Sequence, residues 1–160
     1  FGVINSIFAD LRRINPVIIG EDAGLVIVNF ENGARGLLDG NRCSDHSASN
    51  RRLTMGEMRI EGEKGVLSLN GDAELTFRAH NSNEVVAIDY PWIDCDFGGD
   101  CVYNLQRHVI DEILRGKEPM NIAEKYLSNL EIAEIAYLSN ELKQTQRVNA
   151  GCLDGVDIES

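Results

Sequence analysis

Residues 22–39 of the chain, DAGLVIVNFENGARGLLD, place two apolar runs on either side of Asn32-Gly33. Both central residues of a type I′ turn need a positive φ, and Asn-Gly between apolar runs is a strong signal for that turn. The stretch therefore predicts a hairpin with strands at about residues 25–30 and 34–39. Because a short hairpin joins antiparallel strands, this is the start of an antiparallel sheet.

Strand signals fill most of the other residues before Pro91. Residues 1–14 form an alternating stretch that ends at Asn15-Pro16. Residues 43–51 are polar and rich in turn-forming types, so we expect a loop there. Further alternating runs separated by Gly and Asn predict a meander of short strands, at residues 53–61, 65–69, 73–79 and 84–90.

The hydrophobic period changes from two to between three and four after Pro91, which indicates helices. Gly116 and Pro119 are placed to end a first helix. Asn121 is placed to cap a second helix, with Glu124 completing a capping box, and this helix should run to about Lys143. Its expected buried stripe consists of Tyr126, Leu127, Leu130, Ala133, Tyr137 and Leu138.

Strands followed by helices, without alternation, predict an α+β fold with an open, mostly antiparallel sheet and helices packed on one face. We expect residues 1–148 to form a single domain and residues 149–160, which show no period, to form a loosely ordered tail. Parallel βαβ units would need helices between the strands. The glycine-rich strand-to-helix turn that usually holds nucleotide phosphates is not evident.

The composition and net charge of the chain indicate which classes of binding partner are disfavoured. The chain has 160 residues, 43% of them hydrophobic, and a formal net charge of −11. That charge disfavours nucleic acids and anionic membrane surfaces, which bind through Lys and Arg. The four cysteines form no Cys-x-x-Cys pair, and no apolar run approaches the roughly twenty residues of a membrane span. We expect reduced thiols and a cytoplasmic location.

Several further segments follow the hairpin in a characteristic order. Its second strand leads into Gly40-Asn41-Arg42, residues 60–67 read IEGEKGVL, and FGGD at residues 97–100 opens a helix that GKEP follows at 116–119. This order and spacing resembles the C-terminal domain of the Gfo/Idh/MocA oxidoreductases, the glucose–fructose oxidoreductase and inositol dehydrogenase family. The resemblance covers about residues 3–148.

The resemblance implies a partner domain that this chain does not include. In that family an N-terminal Rossmann domain binds NAD or NADP, and the sheet of the C-terminal domain closes over the nicotinamide and a sugar or polyol. The family's Glu-Lys-Pro and Asp-x-x-x-His motifs are missing here, and Lys117-Glu118-Pro119 has the wrong order. We therefore expect no catalytic pair and no cofactor site in this chain, which should be inert alone.

Six polar residues are candidates for binding a small-molecule substrate. They offer hydrogen-bond donors and acceptors of the kinds that polyol hydroxyls need. Arg52 was selected because two adjacent arginines at a strand start face opposite sides of the sheet, and Tyr103 because the family's corresponding helix borders the substrate pocket. The candidates are Asp39, Asn41, Arg42, His46, Arg52 and Tyr103. Ordinary strand-end residues, a surface ion pair and a core aromatic are the alternative interpretations.

The resemblance also implies a homo-oligomer paired through the sheet face, where we expect Leu25, Ile27, Leu37 and Val66. Metal binding is disfavoured, because the nearby Cys and His residues lack the paired spacing of zinc sites. Two other functions remain open: a non-catalytic binding or assembly module with the same fold, and a hydrolase that uses Asp94, Asp96 and Asp100.

Overall fold

The computed structural model describes residues 1–93, 95 and 98–148. The chain divides into two compact units, which are described separately. Unit 1 contains residues 1–45 and 121–148, and unit 2 contains residues 46–120. The predicted tail at residues 149–160 lies outside the described residues, as do Asp94 and Asp96.

Unit 1 is an antiparallel sheet with one helix packed on it. Its strands are β1 (Ile4–Arg12), β2 (Ala23–Phe30), β3 (Arg35–Asn41) and β8 (Gln146–Arg147), in the order β3-β2-β1-β8. Helix α2 (Ala123–Leu142) packs against β1. Ile7 and Ala9 alternate on β1 and are 0% exposed, so the core of this unit lies along the central strand.

The predicted hairpin is present, with a different turn. Asn32 keeps a negative φ whereas Gly33 has a φ of 87°, so the expected type I′ geometry is wrong. The Gly33 N–H donates to the Phe30 carbonyl at 3.1 Å, and the Phe30 N–H donates to the Ala34 carbonyl at 2.9 Å. This is a three-residue loop with glycine in the left-handed position, a geometry that suits the strand twist equally well.

The outer edge of β1 is covered in two ways. β8 pairs with Ser6 and Ile7 only. Beyond it, Ser139 Oγ accepts the Ala9 N–H at 3.0 Å and Asn140 Oδ1 accepts the Leu11 N–H at 2.8 Å. Side chains from α2 therefore satisfy donors that a longer edge strand would otherwise bond.

Two predictions for α2 are wrong. The helix starts from Ile122 in an extended conformation, with no side-chain capping bond, so Asn121 and Glu124 form no capping box. The six residues of the expected buried stripe are all exposed, and Ser139 is the buried residue of this helix. The periodicity predicts a core face, but the main strand contacts of α2 are with β1 and β8.

Unit 2 contains the predicted meander. Its strands are β4 (Met58–Gly62), β5 (Gly65–Leu69), β6 (Leu75–Ala79) and β7 (Val86–Ala87), all antiparallel and in sequence order. Three of these strands, β4, β6 and β7, are shorter than expected. Residues 53–57 are irregular, because Gly56 has a φ of 144° and Thr54 Oγ1 donates to the Gly71 carbonyl at 3.3 Å.

Helix α1 (Cys101–Leu114) completes unit 2, and none of its residues is buried. It ends as predicted, with Gly116 in the left-handed conformation after Arg115. Asp100 occupies the N-cap position with a φ of 62°, without a side-chain capping bond.

The predicted α+β class with antiparallel sheets is confirmed, and the eight strands of the described residues form two four-stranded sheets. Among the described residues, neither helix is both long and apolar enough to cross a membrane.

Candidate functional site

Three of the predicted site residues lie together where β3 ends. Asp39 is exposed opposite Leu25 of β2. Asn41 Oδ1 accepts the Cys43 N–H at 2.8 Å, which turns the chain as the strand ends. The Arg42 N–H donates to the Asp22 carbonyl at 2.8 Å, while its exposed guanidinium has no hydrogen bond or ion pair within the described part of the chain. Among the described residues, the Arg42 guanidinium is therefore an uncommitted cation at the end of β3.

Arg42 lines a cavity of about 400 Å³ in unit 1. Its lining combines charged and amide groups with a thiol and two isoleucines. Its lining residues are Asn15, Ile18, Ile19, Glu21, Asp22, Arg42 and Cys43. A volume of this size is sufficient for a small ligand.

Asp22 is the buried acid of this cavity, only 5% exposed. Its Oδ1 accepts the Ile14 N–H at 2.6 Å, and its Oδ2 accepts the Asn15 N–H at 2.7 Å. The Cys43 thiol donates to Oδ2 at 3.7 Å. The Ile14 hydrogen bond, followed by that from Asn15, holds the pKa of Asp22 below its usual value. Desolvation and the adjacent carboxylate raise the pKa of the Cys43 thiol.

Glu21 is the second acid of the cavity wall and contacts α2. The Tyr137 hydroxyl donates to Glu21 Oε1 at 2.5 Å. This bond lowers the pKa of Glu21 and raises that of Tyr137. Both acids are therefore charged near neutral pH, each already accepting at least one hydrogen bond.

The sequence did not identify Asp22 or Glu21 as site residues. An acid just before a strand is common, and what distinguishes Asp22 is a set of bonds to segments eight and twenty-one residues away. The local signal was Asp next to a Pro- and Gly-containing loop, where carboxylates often accept backbone N–H groups.

The other three predicted residues belong to unit 2 and lie in separate places. His46 is half-buried, and its ring is so close to Gly71 that a Cβ there would be 2.6 Å from His46 Cδ2. His46 Nε2 is buried without a hydrogen-bond partner. Tyr103 is in the first turn of α1 and exposed.

The strand-start argument for Arg52 is wrong, because residues 51–57 precede β4 as a loop. The Arg52 carbonyl accepts the Gly98 N–H at 2.7 Å, and its N–H donates to Asn50 Oδ1 at 3.1 Å. Adjacent residues in this loop therefore do not alternate between two sheet faces. Among the expected interface residues, Val66 is buried rather than exposed.

Unit 2 carries a second concavity of about 330 Å³ on its sheet, lined mainly by polar side chains such as Arg59, Ser68 and Thr76. In the part of the chain that the structure describes, no three His, Cys, Asp or Glu side chains are grouped to hold a metal ion. Asp100 is at the start of α1, and the other two acids of the hydrolase hypothesis are outside the described residues.

Comparison with known proteins gives a sequence relative and many structural neighbours. The chain is 28% identical over 145 residues to a D-apiose dehydrogenase from Paraburkholderia graminis, covering 87% of this chain and 38% of that protein. No protein-family model matches the chain.

Solved structures share the fold at lower identity. An oxidoreductase from Agrobacterium radiobacter, in complex with NAD+, L-tartaric acid and magnesium, superposes with a TM-score of 0.74 at 21% identity over 91% of this chain and 43% of that chain. An aldose-aldose oxidoreductase from Caulobacter crescentus, complexed with glycerol, gives 0.70 at 15% identity over 92% and 42%.

The chain spans about two fifths of the length of these proteins. The matches cover most of this chain. The resemblance is therefore confirmed: the chain has the fold of the corresponding part of the Gfo/Idh/MocA-type oxidoreductases.

Proposed function

We propose that the chain is the substrate-side and subunit-pairing domain of an NAD(P)-dependent dehydrogenase acting on a sugar, a polyol or a related hydroxy compound. The observation that carries this proposal is the match of 145 residues to a D-apiose dehydrogenase. The fold shared with an oxidoreductase in complex with NAD+ supports it. The cytosol is the proposed location, consistent with the reduced thiol of Cys43.

The described residues of this chain do not fit a dinucleotide site. The closest candidate is the Gly98-Gly99 turn before α1, because helix N-termini hold phosphates through free N–H groups. Here the Gly98 N–H already donates to the Arg52 carbonyl and the Asp100 N–H to the Cys95 carbonyl. The dinucleotide motif also requires a strand that leads directly into its glycine-rich turn, and among the described residues the last strand before this turn is β7, which ends at Ala87. We place the cofactor on another part of a longer protein.

The contribution of this chain is to bind and orient the substrate. The bound cofactor would exchange a hydride with a carbinol carbon of the substrate. Arg42 is the residue best placed to take part, because its guanidinium is exposed and uncommitted among the described residues. Asp39 and Asn41 stand beside it as proposed substrate contacts. Such groups fix orientation, which determines how often a bound substrate is in a reactive geometry.

The test is an assay of the longer protein that contains this chain. Reduction of NAD+ and of NADP+ should be followed with D-apiose and a panel of neutral sugars and polyols. We expect turnover with at least one of them, and we expect Arg42→Gln to raise KM about tenfold while kcat changes little. Absence of turnover with every compound and both cofactors would favour the non-catalytic binding or assembly module.

We also propose that unit 1 pairs with a second copy through one face of its sheet. Phe8, Leu25, Ile27 and Leu37 share that face, and Leu37 is 67% exposed. Exposed contiguous apolar surface is typical of an interface. Leu38, which is 65% exposed, faces the opposite side and offers a matched control.

Light scattering at several concentrations tests the pairing. The wild-type chain should show at least twice the mass of one copy. Leu37→Asp should reduce it to a monomer, and Leu38→Asp should not. A monomeric wild type, or equal effects of the two substitutions, would contradict pairing through this face.

A further inference from the structure

We propose that Asp22 is a positioning residue that builds the unit 1 cavity from two segments, and that this cavity takes a neutral polyhydroxylated ligand. The inference deepens the proposed function, on which the role of the ligand as a substrate rests. The binding itself is a property of this chain and is measured separately.

Asp22 joins the two sides of the cavity. Its carboxylate holds the loop after β1 through the Ile14 and Asn15 N–H groups. Its main chain holds the segment after β3, because its carbonyl accepts the Arg42 N–H at 2.8 Å. The Cys43 thiol adds a contact from the same segment to the carboxylate. Loss of the carboxylate would therefore release the loop and loosen the residue beside Arg42.

Because the Asp22 carboxylate already accepts three hydrogen bonds, a ligand would bind mainly to the other polar groups of the cavity. Asp22 itself already accepts three hydrogen bonds and is nearly enclosed. Arg42 has its five guanidinium donors uncommitted among the described residues. Asn15 uses Oδ1 to accept the Val17 N–H at 3.0 Å, so its amide nitrogen is a further donor. Glu21 bonds one side chain, Tyr137, and a carboxylate keeps further acceptor capacity.

The opposite charges that line the unit 1 cavity favour a neutral ligand. An anion attracted by Arg42 would also face the carboxylates of Glu21 and Asp22. A cation attracted by those acids would face the guanidinium. A hydroxyl both donates to a carboxylate and accepts from a guanidinium, so neighbouring neutral hydroxyls satisfy both kinds of group. The apolar side chains of Ile18 and Ile19 can pack against the C–H faces of such a compound.

The experiment is an NMR titration of the uniformly 15N-labelled chain with D-apiose as the neutral probe and L-tartrate as the anionic probe. D-Apiose should shift the amide signals of Asn15, Arg42 and Cys43 in a saturable way. L-Tartrate should bind at least tenfold more weakly. Equal or tighter binding of L-tartrate would overturn the neutral class, and absence of saturable shifts with D-apiose would overturn the cavity as a site.

Substitutions test the positioning role. Asp22→Asn keeps the size of the side chain but replaces an acceptor oxygen with an NH2 group, and it should weaken D-apiose binding at least tenfold. Asp89→Asn makes the same change at an exposed position of unit 2 and should bind like the wild type.

A second variant covers the case in which Asp22→Asn fails to fold. Arg42→Gln removes the main donor at an exposed site and should also weaken D-apiose binding about tenfold with an unchanged spectrum elsewhere. Wild-type affinity in folded Asp22→Asn or in Arg42→Gln would contradict the inference. Binding of D-apiose to this chain without dehydrogenase activity in the longer protein would refute the proposed function alone, whereas activity without binding here would refute the cavity.

Discussion

Unit 1 and unit 2 each contain a four-stranded antiparallel sheet and one helix, but they are stabilised differently. In unit 1, α2 packs on β1 and encloses Ile7, Ala9 and Ser139 completely. In unit 2, α1 has no buried residue, and the buried positions include Gly71 and Ala73 of the turn between β5 and β6. Helix-on-sheet burial stabilises the first unit, and turn contacts contribute more to the second.

The unit 2 turn is organised by side chains that bond to backbone. Asp72 Oδ1 accepts the Ser49 N–H at 2.6 Å and the Asn50 N–H at 3.3 Å. Asn70 Oδ1 accepts the N–H groups of Asp72 and Glu74. Two four-stranded antiparallel sheets therefore show that the same architecture can depend on apolar burial in one place and on polar turn contacts in another.

The largest expected effect separates the two units directly. Ile7→Ala removes a side chain with no exposure, so it should lower the free energy of unfolding by about 2–5 kcal/mol. Ile113→Ala makes the same deletion on α1, where the side chain is 62% exposed, and should change it by less than about 0.5 kcal/mol. Urea unfolding of both variants tests the comparison, and similar losses would contradict it.

The next effect concerns the polar link between α2 and β1. Ser139 Oγ accepts the Ala9 N–H and donates to the Gln144 carbonyl at 2.8 Å. Ser139→Ala leaves the Ala9 N–H and the Gln144 carbonyl without this partner, and it should lower the free energy of unfolding by about 1–3 kcal/mol. Ser128→Ala on the same helix is the control, because Ser128 Oγ has no bond among the described residues. If the two substitutions lower the melting temperature equally, the hydrogen bonds of Ser139 do not stabilise the contact between α2 and β1.

A smaller effect is expected at the unit 2 turn. A Cβ on Gly71 would lie 2.4 Å from the Ser47 carbonyl oxygen, so Gly71→Ala must displace residues 46–48. We expect a loss of about 1–2 kcal/mol and faster hydrogen exchange at Ser49 and Asn50. A Cβ on Gly62 would have no atom within 4 Å, so Gly62→Ala should leave the free energy of unfolding nearly unchanged. Unchanged exchange at Ser49 would show that the turn does not hold this loop.

Acid should weaken unit 1 in a way that its carboxylates explain. Hydrogen bonds hold the pKa of Asp10 and of Asp22 below their usual values, from Arg12 for the first and from Ile14 for the second. Folding then favours the ionised forms, so this stabilisation is complete above about pH 5 and is lost as the pH falls through the unfolded and then the folded pKa.

Urea midpoints at pH 7 and pH 3.5 measure this dependence. The wild type should lose stability on acidification, and Asp22→Asn should lose less because it has one fewer linked carboxyl. Asp89→Asn should follow the wild type. An equal pH dependence in Asp22→Asn would show that this carboxyl is not linked to folding.

The sequence was informative where local pattern decides structure. The hairpin at Asn32-Gly33, the strand at Gly65–Leu69 and the helix end at Gly116 are all in place. Periodicity failed where it was used to infer burial, as for Tyr126 and Leu130 of α2, because the period gives a face and not the surface that covers it.

The site was predicted only in part, for a physical reason. Arg42 could be identified from the sequence because a charged side chain at a strand end interrupts the alternation of apolar and polar residues around it. Asp22 could not, because its role depends on bonds to Ile14 and Cys43 that only the folded chain brings together. His46 and Arg52 are candidates on side-chain chemistry and on an expected strand start, whereas the structure assigns them to a different unit from Arg42.

The central claim is that this chain supplies the substrate side of a dehydrogenase and that the cofactor binds elsewhere. The most direct test is a titration of the chain with NADH, followed by the fluorescence of Trp92, which is its only tryptophan and is exposed. The account predicts no saturable change up to millimolar NADH. Saturable binding at micromolar NADH would contradict it, because the chain would then carry a nucleotide site of its own.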